Sequence, residues 1–331
     1  MLKIFLKSLI ATTMFGTLLS TGVMAAKLPG KGVTVQPVEG TNLEEKFQHL
    51  IIYRALEKLG YTIADPQEVE YQTIHVSIGT GDSDFTAVHW DPLHLAFFEE
   101  SGGKAVMSKV GQYIPGALQG YLVDMASFKA GVTNLGDLAK PDVAKHFDSD
   151  GDGKTDLAGC VPGWGCERVI EHQLTEYKLR DTVNHNQGAY NAVIADSIAR
   201  HESGKPIVYY TWTPFWVSGV LVPGENVQWI EVPYSSLPDG RTDNTMFNGK
   251  NLGFAVNSLR VVANNKFLKP TPAAAKLFEV ATLDINDVSG QNKKMRDGED
   301  SMEDIERHVN EWIKVHQTTF DSWVKMAQDA N

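Results

Sequence analysis

The sequence predicts an α/β fold compatible with two lobes. Three observations carry this. Helical and strand-like segments alternate along the chain. At 331 residues the chain suits one large domain or two of ordinary size. No internal repeat, heptad array or low-complexity tract points to another architecture, and no Pro/Gly/Ser-rich linker marks a boundary. The pattern alone leaves open whether the chain crosses between lobes once or twice. The hydrophobic fraction, 42%, is that of a globular chain.

The opening segment, MLKIFLKSLIATTMFGTLLSTGVMAA, starts with Lys3 and Lys7, continues apolar and ends in small residues. It reads as a secretory signal, residues 1–25, cleaved after Ala25. The alternative is a membrane anchor. Against it, the run is short, broken by Ser and Thr, and lacks a positive flank. No later stretch reaches the ~20 apolar residues of a membrane span. Loss of Lys3 and Lys7 takes two positive charges from a formal −11, leaving −13. Such a chain is a poor partner for nucleic acid.

The segment NLEEKFQHLIIYRALEKLG reads as the first helix. Asn42 and Glu45 have capping-box spacing, Phe47, Leu50, Ile51 and Leu59 recur at helical intervals, and Gly60 is a stop. TIHVSIG and FTAVHW read as strands. GYLVD, from Gly120, is another short strand, and NLGDLAKPDVAKHF is loop and helix. RVIEHQLTEYKL is a helix entered directly from the cysteine loop. YNAVIADSIARHESGKP is a helix with Tyr190, Val193, Ile194 and Ile198 on one face. PIVYYTW is a buried strand, and LGFAVNSLRVVAN is long and β-rich. The C-terminal SMEDIERHVNEWIKVHQTTFDSWV reads as one helix, with Ile305, Val309, Trp312, Ile313, His316 and Phe320 on a stripe.

Motifs for covalent or metal-hydrolytic chemistry are absent: no G-x-S-x-G elbow, no H-E-x-x-H helix, no phosphate loop. GTGDSD contains G-x-G but not the third glycine. The two cysteines of CVPGWGC, Cys160 and Cys166, read as one disulfide in an exported chain, with two free thiols as the alternative. The expectation is a binding protein and not an enzyme.

Seven tryptophans are more informative. Trp312 and Trp323 on the C-terminal helix and Trp229 in VQWIEV read as packing residues. Trp90 and Trp212 each end a strand before a proline-containing loop, and Trp164 sits between the cysteines. Singly, each is more simply a core residue. Their shared setting, at strand–loop junctions where α/β proteins bind ligands, raises the functional reading. Three indole faces form a cage for a quaternary ammonium, which has no N–H for a carboxylate to grip. Each face contributes about 0.5–1 kcal/mol exposed and ~2 or more when desolvated.

The cysteine loop supplies a complementary end. Gly163 and Gly165 permit close approach of a ligand to the backbone. The N–H groups of Gly165 and Cys166 open the following helix, where anions bind. His94 can add a donor, although a lone histidine is more often structural. The site suits a small zwitterion with a methylated ammonium at one end and a carboxylate at the other.

These residues resemble the periplasmic glycine betaine-binding proteins of osmoregulatory ABC importers. The similar pieces are LPGKGVTVQPV, ALEKLGYT, FTAVHWDPLH, QGYLVD, GCVPGWGCE, NHNQGAYNA, GKPIVYYTWTPFWV and AAAKLF, spread over nearly the whole chain after the signal. The resemblance implies a two-lobed, type II (Venus-flytrap) binding protein whose chain crosses twice, near Gly116 and Asn251. Residues 26–116 and 251–331 would form one lobe and 117–250 the other. It further implies that Trp90, Trp164 and Trp212 box the trimethylammonium and that the His94 side chain and the Gly165 and Cys166 backbone hold the carboxylate. It pairs Cys160 with Cys166 as well. Implied partners are glycine betaine, with proline betaine as a further ligand, and a membrane permease; the receptor is expected to be a periplasmic monomer. The pattern departs at Asp91, where a relative carries Thr. An acid here either strengthens the cation end or faces solvent.

A second motif is independent of the first. DSDGDGKTD places Asp148, Asp150, Asp152 and Asp156 at positions 1, 3, 5 and 9 of a calcium loop, with Gly153 at 6 and the Lys154 carbonyl at 7. Position 12 is Gly159 in place of the bidentate Glu. The expectation is a weak structural calcium site or a plain acidic turn; no cofactor is required.

Competing readings are a receptor for choline or another compatible solute, a sensory receptor, and an exported hydrolase using His94 or NHNQG as a base. Whatever its role, the cysteine ring is worth about 2–2.5 kcal/mol in loop-closure entropy, and preorganises the segment that carries Trp164.

Overall fold

The computed structural model describes residues 28–330, so the signal segment lies outside the described residues. Among the described residues no helix is long and apolar enough to cross a membrane. Seven strands build the centre: β1 (Phe85–Asp91), β2 (Met107–Asp124), β3 (Thr155–Ala158), β4 (Val183–Asn186), β5 (Val208–Thr213), β6 (Val227–Ile230) and β7 (Asn257–Asn264). Their order is β1-β7-β2-β5-β3-β4, with β6 also on β2. β1, β7, β2, β5 and β6 join antiparallel, whereas β3 runs parallel to both β5 and β4.

β2 changes partners along its length. Residues Met107–Ala117 pair with β7, which pairs with β1. Residues Leu118–Val123 pair with β5, and Tyr121–Asp124 with β6. One long strand therefore joins two parts of the sheet. The change of partners falls between Ala117 and Leu118, next to Gly116, whose φ of +82° suits glycine alone. Further along, the Asn251 carbonyl accepts from Val232 N–H at 2.9 Å, and Asn257 pairs with Ala117.

Helices cover both lobes. α1 (Lys46–Lys58) buries Phe47, Ile51, Ile52 and Leu56 and packs on β1 and on the two C-terminal helices. α2 (Tyr71–Thr80) includes the TIHVSIG segment expected to be a strand. Tyr71, Ile74, His75 and Ile78 are buried at helical spacing, and Gly81 ends the helix at φ +90°. That periodicity outweighs the β-branched composition. α3 (Gly165–Glu176) and α4 (Tyr190–Glu202) lie where helices are expected.

Three further expectations are corrected. GYLVD is the end of the eighteen-residue β2 and not a separate short strand. LGFAV is irregular, and strand begins only at Asn257. The C-terminal helix is two, α6 (Met302–Val315) and α7 (Gln317–Asp329), preceded by α5 (Ile285–Arg296). The break at His316 (φ −103°, ψ 26°) stacks its ring on Trp312 at 4.5 Å, and buried Phe320 continues the apolar stripe beyond it.

Candidate ligand-binding site

A small, largely aromatic cavity is lined by twelve residues, among them Gln119, just beyond the change of partners in β2. The wall includes Asn42 and Glu45 ahead of α1, Tyr71 at the start of α2, and Trp90, Leu93 and His94 around the end of β1. It also includes Gln119, the Trp164–Cys166 turn, Tyr210 and Trp212. All six expected ligand contacts, Trp90, His94, Trp164, Gly165, Cys166 and Trp212, line this one cavity.

The tryptophans reach it by a common device. β1 and β5 both carry the indole close to the strand end, then turn at a cis peptide bond, Asp91–Pro92 and Thr213–Pro214. Trp90 and Trp212 are only 6% and 4% exposed. Trp164 and Trp212 stand edge to face, 5.7 Å between ring centroids at 66°. Tyr71 meets Trp164 at 5.5 Å and 80°. The Cys160–Cys166 disulfide is formed, which removes the free-thiol alternative, and it closes the loop that presents Trp164.

The same cavity is also lined by donors. Gly165 and Cys166 are the first two residues of α3, where backbone N–H groups lack partners within the helix and the dipole is positive. His94 sits against them. A β-carbon on Gly165 would lie 3.1 Å from His94 Cδ2 and 2.9 Å from Leu93 Cγ, so only glycine permits this approach. His94 Nδ1 accepts the Trp90 backbone N–H at 3.4 Å, which places its proton on Nε2. Burial, followed by His89 and His75 nearby, holds its pKa well below the usual histidine value. His94 is thus a neutral donor. Gln119 accepts from Tyr210 at 2.7 Å through Oε1, and its buried Nε2 has no partner among the described residues.

Six cavity residues escaped the sequence reading: Asn42, Glu45, Tyr71, Leu93, Gln119 and Tyr210. Asn42 and Glu45 were expected to form a capping box, but Asn42 makes no capping hydrogen bond and both side chains line the cavity. Tyr71 lay at the edge of the misread strand, and Gln119 precedes GYLVD by one residue. Nothing local in the sequence marks them.

Asp91 fits neither reading offered for it. Its carboxylate is turned away from the cage into ion pairs with Lys109 of β2 and Arg260 of β7, the latter at 2.8 Å. Partial burial alone would raise its pKa, but His89 nearby at 3.9 Å and the paired Lys109 ammonium hold it below the usual carboxylate range. In the acidic loop, carboxylate oxygens of Asp148, Asp150 and Asp156 lie within 4.8 Å of one another. Asp152 is outside this group, accepting from Asn184 and from Lys154 N–H, both at 2.8 Å.

Two α/β lobes sharing one strand, with an aromatic cavity between them, define a two-lobed substrate-binding protein. The family model for the substrate binding domain of ABC-type glycine betaine transport systems matches residues 37–315. The chain is 52% identical over 324 residues to the glycine betaine-binding periplasmic protein OusX of Dickeya dadantii, covering 97% of this chain and 98% of that one. It is 50% identical over 322 residues to the glycine betaine/proline betaine-binding periplasmic protein of Escherichia coli, with the same coverage of 97% and 98%. The closed, glycine betaine-bound structure of lactococcal OpuAC shares the fold, with a TM-score of 0.67 at 19% identity over 88% of this chain and 99% of that one. The chain belongs to this family of substrate-binding receptors for ABC importers.

Proposed function

We propose that the protein captures glycine betaine, with proline betaine as a further ligand, and delivers it to the permease of an ABC importer. One observation carries the ligand: an indole cage and a set of neutral donors line one small cavity. The cage suits a trimethylammonium. His94 and the α3 N-terminus suit a carboxylate. Choline has no carboxylate and would leave those buried donors unpaired, at a cost of roughly 1–3 kcal/mol each. Calorimetry with a panel of betaines and choline tests this. Glycine betaine is expected to bind most tightly; tighter choline binding would overturn the assignment.

On this reading the lobes are residues 26–116 with 251–331, and 117–250, in line with the change of partners along β2. Residues 1–25 direct export to the periplasm, where the receptor acts as a monomer and has no catalytic step. The hydrolase alternative lacks support at both of its bases. Cys166, beside His94, is locked in the disulfide. His185 of NHNQG is held by Glu171 at 2.6 Å and by the Cys160 N–H at 3.0 Å. A sensory role differs in outcome: deleting the gene would then leave betaine uptake intact.

The reading also includes a weak structural calcium site at Asp148–Asp156, supported by the three convergent carboxylates. Calcium at millimolar concentration should raise the melting temperature and a chelator should lower it. An unchanged melting curve removes the site.

A further inference from the structure

The cation end of the cavity holds a group that an aromatic cage does not require. Glu45, immediately before α1, is 6% exposed and forms part of the cavity wall. Its Oε1 accepts the indole N–H of Trp90 at 3.2 Å. Its Oε2 is buried and has no hydrogen-bond partner among the described residues. Leaving such an atom unpaired costs roughly 1–3 kcal/mol, more if it is charged. A carboxyl group in this position invites a positively charged occupant.

We propose that Glu45 is the counter-charge of the cation site, fixing Trp90 through one oxygen and giving up its proton when the quaternary ammonium is captured. The inference rests on the betaine reading above. The balance is simple: the neutral carboxylic acid becomes a carboxylate, its proton passes to solvent, and no bond of the ligand changes. A quaternary ammonium cannot hydrogen-bond to the acid, so it acts on it purely as a fixed charge. A positive charge within a few ångströms favours the ionised form.

The surroundings explain why the acid is neutral beforehand. Burial pushes the Glu45 carboxyl up to about 8; the Trp90 N–H and the nearby Tyr71 hydroxyl oppose this, and Glu44 and Glu39 add to it. Among the described residues no neighbouring group offers Glu45 a free positive charge. Lys46 is paired with Glu39 and Glu68. Glu44 accepts from Asn191 at 2.9 Å. His49 contacts the Glu45 carbonyl at 3.0 Å, and burial lowers its pKa. Elsewhere in the cavity wall, burial raises the Tyr71 and Tyr210 hydroxyls well above their usual values and lowers His94. The ligand is the missing cation.

The sign follows. Ligand binds the deprotonated form better, so affinity rises with pH through the pKa of the empty site. Below that pKa it falls about tenfold per pH unit, down to the pKa of the complex. The test is calorimetry of glycine betaine with the full chain, run at each pH in two buffers of different ionisation enthalpy. Roughly one proton should be released per betaine at pH 7, and Kd should be roughly tenfold lower at pH 9 than at pH 7. E45Q keeps an oxygen acceptor for Trp90 but has nothing to titrate; it should release no proton and give a flat pH profile. Binding by the unsubstituted protein without proton release, or proton release that persists in E45Q, overturns the proposal. The count for the unsubstituted protein decides even if E45Q does not fold. Absence of betaine binding at every pH is a different result, and it overturns the receptor reading itself.

Discussion

Replacing Gly165 with alanine should weaken betaine binding by roughly ten- to a hundredfold, about 1.4–2.8 kcal/mol, while the ligand-free protein melts as before. The added methyl has no quarrel with its own lobe. It meets Leu93 and His94, which on the proposed division belong to the other one, at 2.9 and 3.1 Å. The clash therefore exists only when the lobes are together. A change that raises the energy of the closed form alone subtracts directly from the ligand's differential affinity. It also pushes His94 out of line with the α3 N-terminus. Calorimetry measures the loss, and small-angle scattering with saturating betaine should show a larger radius of gyration than the unsubstituted protein. Unchanged affinity would mean that the lobes do not meet at Gly165 in the bound form.

The second large effect is at the cage. Trp90→Ala, Trp164→Ala and Trp212→Ala should each weaken binding by about 1–3 kcal/mol, but they should differ in stability. Trp212 is sandwiched among rings, with Phe215 at 4.4 Å, Tyr190 at 4.5 Å and Tyr210 at 6.0 Å. Its truncation leaves a core void and should cost ~3–5 kcal/mol of folding free energy. Trp164 is only partly buried, and its truncation should leave melting nearly unchanged. Trp164→Ala is thus the clean test of cation recognition. Fluorescence titration beside a melting curve separates the two effects; unaltered affinity in two of the three variants would remove the cage.

The distribution of what could be read in advance has a physical logic. Trp90, Trp164, Trp212 and the cysteine loop announce themselves because each stands in an unusual local setting: before a proline, or between glycines inside a ring. Glu45 does not, because an acid three residues after Asn42 looks like helix capping until the fold turns both side chains into a cavity. The first half of β2 was equally hidden. Gly111, Pro115 and Gly116 are strand breakers in isolation, yet here they coincide with register shifts against β7 and with the change of lobe. TIHVSIG shows the opposite failure: its β-branched residues spoke louder than the spacing of Tyr71, Ile74, His75 and Ile78. Asp91 needed its partners, Lys109 and Arg260, from strands far along the chain.

The sharing of β2 by both lobes has a mechanical consequence. Two bodies tied by a flexible linker can meet in many orientations, and a membrane partner would face a blurred target. Here the tie is an eighteen-residue strand hydrogen-bonded on both sides of Ala117 and Leu118, with the second connection returning beside it through Asn257. Asn257 also accepts the Leu93 N–H at 3.0 Å, anchoring the turn that carries His94. On the proposed division the lobes have one axis to turn about and little freedom to slide or roll. Each capture of ligand then ends in the same silhouette, and a permease can recognise occupancy from outline alone, without touching the betaine inside.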